Sequence, residues 1–285
     1  MLLGKNDAKD RKPKIKVYTP DWSKVAEYIH DTMGFDPELA PAPPEGQWRA
    51  AAALEDVGLH AQSDAVFRQI IKDSAESAGT LFQITRRLQQ EGRTSSAARA
   101  ATTLATLLTR KDAPPPPDDL LRVAYPLAYG DLASSAADDA GVSASLLLAL
   151  VRQESFYDPE AGSSAGALGL TQVIPSTGES IAATLGTEGF TASDLYRPNV
   201  SLKFGASYLS DQLKQLDGDP YRALAAYNGG PGAASSAADS AGADEDLFVE
   251  DLEFDETRDY VRLVLENYAR YRQLYEGVDR PSLPR

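Results

Sequence analysis

Residues 143–159 read Ser-Ala-Ser-Leu-Leu-Leu-Ala-Leu-Val-Arg-Gln-Glu-Ser-Phe-Tyr-Asp-Pro. Ser143 is the kind of residue that caps a helix N-terminus, and the Leu- and Ala-rich run behind it favours helix. Asp158-Pro159 ends that helix, because the residue before a proline is pushed out of helical backbone geometry. At helical spacing Leu147, Leu150, Val151 and Glu154 share one face, so a carboxylate closes a stripe that is otherwise apolar, and it does so in the last turn. An apolar surround and the negative end of a helix dipole both disfavour charge there. Glu154 is therefore expected to hold its proton to unusually high pH, as a general acid requires. The same placement also fits a Glu at a frayed helix end, reaching into water with Arg152 as an ion partner.

Working outward, composition narrows the function classes. The 285 residues suffice for one large or two ordinary domains, and a hydrophobic content of 42% supplies material for packed cores. Lys and Arg number 28 against 42 Asp and Glu, a formal net charge of -14 that opposes binding to nucleic acid. There is no cysteine, which excludes a disulfide scaffold, a thiolate nucleophile and Cys-based zinc. The only histidines, His30 and His60, lie in the first quarter of the chain, so a Ser-His-Asp triad or multi-His metal site would have to recruit them across a domain boundary. The acidic run Asp244 to Glu256 lacks the spacing of a calcium loop and reads as a solvated loop. Neither a metal nor a cofactor is expected. No stretch approaches the roughly 20 apolar residues that span a bilayer, and Met1-Leu2-Leu3-Gly4 passes at once into the charged Lys5 to Lys16, so neither a transmembrane segment nor a signal-peptide core is read.

Along the chain, residues 1–47 read as a flexible lead over Gly4 to Lys16, then a short helix capped at Asp21 and running toward Met33, then a break at Pro41 to Gly46. Residues 48–111 read as helical hairpins. Leu54 is followed by Gly58 and Leu88 by Gly92, each ahead of a second helix, and the 34-residue offset is that of a helix-hairpin repeat. An irregular bundle fits the same apolar pattern. Residues 112–119, with Pro114 to Pro117, read as a stiff linker. Residues 120–277 are again mainly helical, with room for a small β-hairpin over Gly166 to Ile174, and residues 278–285 form a tail.

At this point a family becomes recognisable. Glu154-Ser155-Phe156-Tyr157-Asp158-Pro159, Ser163 and Gly166-Ala167-Leu168-Gly169-Leu170-Thr171-Gln172-Val173-Ile174-Pro175-Ser176-Thr177 resemble the E-S-x-F-x-P and S-x-x-G-A-x-G-L-x-Q-x-x-P-x-T signature of the soluble lytic transglycosylase catalytic domain. Asn199-Val200 with Gly205 and Tyr208-Leu209, then Ala223 to Gly232, then Glu256-Thr257-Arg258-Asp259-Tyr260-Val261 resemble three further motifs of that family in the right order. Tyr125-Pro126-Leu127-Ala128-Tyr129 is similar to the segment that leads into the catalytic domain of its large members. The chain departs from the pattern at Thr171 and Val173-Ile174, where Met is usual beside the Gln, and at Glu253, where an Ile-Pro pair is usual.

The resemblance implies a mainly α chain: a lysozyme-like catalytic domain preceded by a superhelical array of helix hairpins. It implies cleavage of peptidoglycan glycan strands between N-acetylmuramic acid and N-acetylglucosamine, with Glu154 protonating the bridging oxygen and then acting as base on the C6 hydroxyl to leave a 1,6-anhydro sugar. By the same resemblance Ser163, Gln172, Tyr227, Asn228, Glu256 and Tyr260 bind substrate, and the site of action is the cell envelope. Two other readings stay open. One is a muramidase on the same scaffold, with Asp158 or Glu256 activating water; the other is a helical adaptor that binds glycan without cleaving it.

Overall fold

The computed structural model describes residues 18–109, 113–230, 232 and 245–278. The lead over Gly4 to Lys16, Pro231 and the tail beyond Val278 lie outside the described residues. Among those described the chain is helical with no strand, and it divides into two compact units at Ala128/Tyr129.

The first unit carries α1 (Trp22–Met33), α2 (Glu45–Asp56), α3 (His60–Asp73), α4 (Ala78–Gln90), α5 (Thr94–Leu108) and α6 (Asp118–Ala124). Its two central hairpins repeat in atomic detail. Leu59 N–H donates to Leu54 C=O and Arg93 N–H to Leu88 C=O, while Gly58 and Gly92 between them take φ of 78° and 74°. These are left-handed helix ends closed by a six-residue hydrogen bond, and glycine adopts them without a Cβ penalty. Trp48 packs edge-on against Phe67, and its indole N–H donates to both carboxylate oxygens of Glu91 at 3.0 and 3.2 Å. Glu91 also receives the Arg87 and Arg93 guanidinium groups, which stack over Trp48 and Phe67.

Two boundaries differ from the sequence expectation. Helix α1, read as a short helix outside the hairpin domain of residues 48–111, buries Val25 and Ile29 in the same core as Trp48 and Phe82. Leu120 and Val123, read as the start of the next domain, join that core from beyond the prolines. The apolar faces, which decide core membership, outweigh the proline punctuation that suggested the divide.

The second unit holds α7 (Gly130–Ala140), α8 (Ala144–Ser155), α9 (Pro175–Leu185), α10 (Pro198–Gln215), α11 (Pro220–Gly229), α12 (Glu245–Glu250) and α13 (Asp255–Tyr271), ending in a π-helical turn Arg272–Glu276. Helix α8 is central, packed against α7, α10 and most extensively α13. Ser145 through Arg152 are all buried, so α8 is enclosed on every side and does not present a single apolar stripe. The expected β-hairpin reduces to two isolated bridges, Gly162 with Leu168 and Leu168 with Val173. The acidic run read as a loop holds α12, because Phe248, Val249 and Leu252 are buried and outweigh the charges between them. No described helix is by itself long and apolar enough to cross a membrane.

Candidate active site

Ser143 caps α8 by accepting from Leu146 N–H, and the helix stops after Ser155 because Phe156 and Tyr157 turn left-handed, with φ of 50° and 65°. That ending leaves Glu154 in the last turn, partly exposed, at the rim of a buried helix. Across from it, α13 brings Tyr260, whose hydroxyl donates to Glu154 Oε1 at 2.6 Å. Burial pushes the Glu154 carboxyl up from 4.5 to about 7, while the Tyr260 hydrogen bond, which favours the anion, pulls the other way and loses. The expected elevation is thus present, and burial is its cause. Arg152, the alternative ion partner, is buried two residues earlier, where it donates to Asn267 Oδ1 at 2.9 Å and lies over the Phe156 ring.

Tyr227, on α11, faces the same carboxyl. Burial and the nearby Glu154 charge push the hydroxyls of Tyr227 and Tyr260 well above their ordinary range, so both stay protonated as donors. The Tyr227 hydroxyl donates to Thr171 C=O at 2.9 Å, and its ring packs against Tyr208 on α10. Thr171 is fully buried and is itself fixed by Ser201: its Oγ1 donates to Ser201 C=O at 2.8 Å and its N–H to Ser201 Oγ at 3.2 Å. A Cβ at Gly205 would lie 2.4 Å from that of Thr171, so α10 approaches the loop only because residue 205 has no side chain.

The loop between α8 and α9 is held to the helix end by Ser155, whose hydroxyl donates to Leu170 C=O at 2.9 Å. Gln172, left-handed at φ 47°, uses its side-chain NH₂ to bond Gly169 C=O at 2.8 Å and Ala161 C=O at 3.1 Å. Its amide nitrogen therefore ties the loop together. Gly169 has φ 75°, and a Cβ there would meet Leu195 C=O at 2.0 Å; the close backbone approach it permits is to Leu195 of this chain.

Of the residues singled out by resemblance, the fold brings Glu154, Tyr227 and Tyr260 together. Ser163 is exposed on the adjoining loop, its Oγ accepting from Ala167 N–H at 3.0 Å. Asn228 is exposed at the end of α11, and its Oδ1 accepts from Thr257 Oγ1 at 2.9 Å. Glu256 is exposed in the first turn of α13, while Arg258 bonds Asp255 and the Glu250 carbonyl. Asp158 Oδ1 accepts from Glu160 N–H at 2.9 Å in a turn. Sequence reading gave no role to Ser201 or Tyr271, quoted Tyr157 only within its motif, and noted Thr171 only as a departure from the motif. A glycine inside a helix, Gly205, was the one local sign of the close approach that buries Thr171.

Residues 131–247 match the family model described as the transglycosylase SLT domain. The soluble lytic murein transglycosylase of Escherichia coli K12 is 36% identical over 168 residues, 58% of this chain and 26% of that protein. Its namesake in Salmonella typhimurium is 38% identical over 162 residues, 54% of this chain and 24% of its own length. This chain thus spans about a quarter of the length of either relative. Among solved structures, the complex of the 70-kDa soluble lytic transglycosylase with bulgecin A has a TM-score of 0.70 at 26% identity, covering 84% of this chain and 37% of that one. Motif order, fold and relatives point the same way: residues 131–247, within the second unit, match the transglycosylase SLT domain, and the chain is similar there to the soluble lytic murein transglycosylases.

Proposed function

We propose that this protein is a peptidoglycan lytic transglycosylase in which Glu154 is the sole acid/base. The observation that carries the reading is the Glu154 carboxyl itself: partly exposed, raised to about 7 by burial, and perturbed otherwise only by the neutral Tyr260 hydroxyl. Among the described residues no second carboxylate contributes to that elevation.

In the reaction the protonated Glu154 gives its proton to the glycosidic oxygen as the bond to the muramoyl C1 breaks and N-acetylglucosamine leaves. The resulting Glu154 carboxylate then takes the proton of the muramoyl C6 hydroxyl, whose oxygen closes on C1. Glu154 ends protonated and no water is consumed, so the water-activating partner of a hydrolase is dispensable. A value near 7 suits both halves, since the group must give and take a proton at neutral pH. Tyr260 steadies the anion between the steps, and Tyr227, Ser163, Gln172 and Asn228 line the sugar path, with Glu256 at its edge. The substrate places the enzyme in the cell envelope.

Digestion of purified sacculi with mass spectrometry of the products tests this. The expected products carry anhydro ends, each one water lighter than a reducing end. Reducing ends alone would make the protein a muramidase, and no products at all would overturn the enzymatic reading.

A further inference from the structure

The helix whose last turn carries Glu154 is braced by one partner along its length, through polar contacts most of which the chemistry above leaves unused. On α13, Tyr260, Val264, Asn267 and Tyr271 recur at four, three and four residues, which puts them on one face, and all are buried. Tyr260 donates to Glu154, Asn267 accepts from Arg152, and the Tyr271 hydroxyl meets that of Tyr157 at 2.5 Å. In the turn beyond, Glu276 accepts from Ser145, near the start of α8, at 2.6 Å. This whole face lies outside the residues matched by the family model.

Tyr157 is the second of two consecutive bulky residues in left-handed conformation, a backbone state that persists only where the surroundings enforce it. It is 2% exposed, so its hydroxyl needs a partner inside the protein, and Tyr271 provides one.

We propose that the Tyr157–Tyr271 hydroxyl pair is a positioning device for Glu154. It fixes the reversal that ends α8 against the same helix that carries Tyr260, and so keeps the carboxyl in register with the Tyr260 hydroxyl. Its catalytic meaning rests on the function proposed above; its geometric content does not. The groups that face Glu154 and can report on it are Tyr260 from α13 and Tyr227 from α11.

The test is an NMR titration of the Glu154 carboxyl in the full chain, labelled with ¹³C-Glu and assigned by its loss in Glu154→Gln. It is run on the wild type, Tyr157→Phe, Tyr271→Phe, Tyr260→Phe and the Tyr157→Phe/Tyr260→Phe double variant, alongside kcat and KM on isolated glycan strands. Removing the Tyr260 donor is expected to raise the midpoint by roughly half a pH unit, because the anion loses its hydrogen bond. Tyr157→Phe and Tyr271→Phe are expected to move it the same way, and the double variant to match Tyr260→Phe alone, since the second change removes a contact already lost. In both single variants kcat should fall about tenfold with KM held within about twofold, as expected for a misaligned acid. Either Phe variant alone decides the matter. A folded Tyr157→Phe or Tyr271→Phe protein with the wild-type midpoint, or a shift that adds in full to that of Tyr260→Phe, overturns the proposal. The titration needs no turnover, so a wild type that forms no anhydro product sinks the functional reading while leaving this coupling measurable.

Discussion

The two units differ in which residues take left-handed backbone. In the first, the described residues with positive φ are all glycines, Gly34, Gly58 and Gly92, each ending a helix. In the second, glycines such as Gly141 and Gly169 do the same, but Tyr129, Phe156, Tyr157, Gln172 and Asp217 also take that conformation with full side chains. A Cβ in that region costs about 1 kcal/mol or more, and the cost persists only where packing and hydrogen bonds over-determine the backbone. Three of the five stand within the helix end and loop around Glu154. The repeating hairpins are therefore built from residues suited to their own backbone, whereas the unit that carries the carboxyl holds strained residues in place beside it.

Glu154 is where this contrast is expected to bite hardest. Glu154→Gln should lower turnover by about a thousandfold or more, since a positioned acid/base contributes roughly 10²–10⁴ and in the proposed mechanism one group serves both steps. Its effect on stability should have the opposite sign. A carboxyl raised in the folded state to about 7 from an ordinary 4.5 costs nothing below pH 4.5, where both states are protonated; the penalty develops as pH rises and is complete above 7. It amounts to about 3 kcal/mol, so Glu154→Gln should stabilise the second unit by that much at pH 8 and hardly at all at pH 4. Hydrogen exchange of the α8 amides at the two pH values measures it, whereas Trp22 and Trp48 fluorescence reports only on the first unit. For the wild type, kcat/KM should decline above pH 7 as the acid loses its proton. A flat profile to pH 9 would remove Glu154 from the role of acid.

Glycine substitutions sharpen the comparison at the next level down. At Gly92 and Gly58 no atom lies within 4 Å of an added Cβ, so Gly92→Ala or Gly58→Ala should cost only the left-handed backbone, about 1 kcal/mol. At Gly169 the same methyl meets Leu195 C=O at 2.0 Å on top of the same φ cost, and Gly169→Ala should lose about 3 kcal/mol or more with the loop displaced. Hydrogen exchange over α4–α5 and over α8–α9 separates the effects. Equal costs at Gly92 and Gly169 would mean that the loop yields easily, and with it the strain argument for the second unit.

The sequence showed these features unevenly, for physical reasons. Ser143 marked the start of α8 because caps act over a few residues, and Asp158-Pro159 marked that the helix must end nearby, although the left-handed Phe156 and Tyr157 end it first; Leu54/Gly58 against Leu88/Gly92 revealed the hairpins because each repeat closes with the same local hydrogen bond. Burial on every side of α8 was not legible as such, since Leu146, Leu148 and Ala149 suit a buried helix and a half-exposed one alike. The partner of Glu154 stands 106 residues away, a distance no periodicity spans; only the motif order pointed to Tyr260. Glu256 and Ser163, chosen by the same order, are exposed and make no contact with Glu154 among the hydrogen bonds described, so the motif order by itself did not say which of its residues meet inside the fold.

The smallest effect tests whether strain in the second unit has one cause or two. Asp217 is left-handed at φ 55° but exposed, in the turn between α10 and α11, and Asp tolerates that region better than an aromatic residue does. Asp217→Gly should therefore stabilise by no more than about 0.5 kcal/mol, partly offset by the greater freedom of glycine in the unfolded chain, and should leave turnover unchanged. Phe156 and Tyr157 differ in that their side chains are packed against Arg152 and Tyr271, so strain there is tied to the arrangement that holds Glu154. A gain in stability with full activity at Asp217 keeps the two cases separate. A loss of activity there would mean that the left-handed residues act together across the unit and that proximity to Glu154 is not what matters.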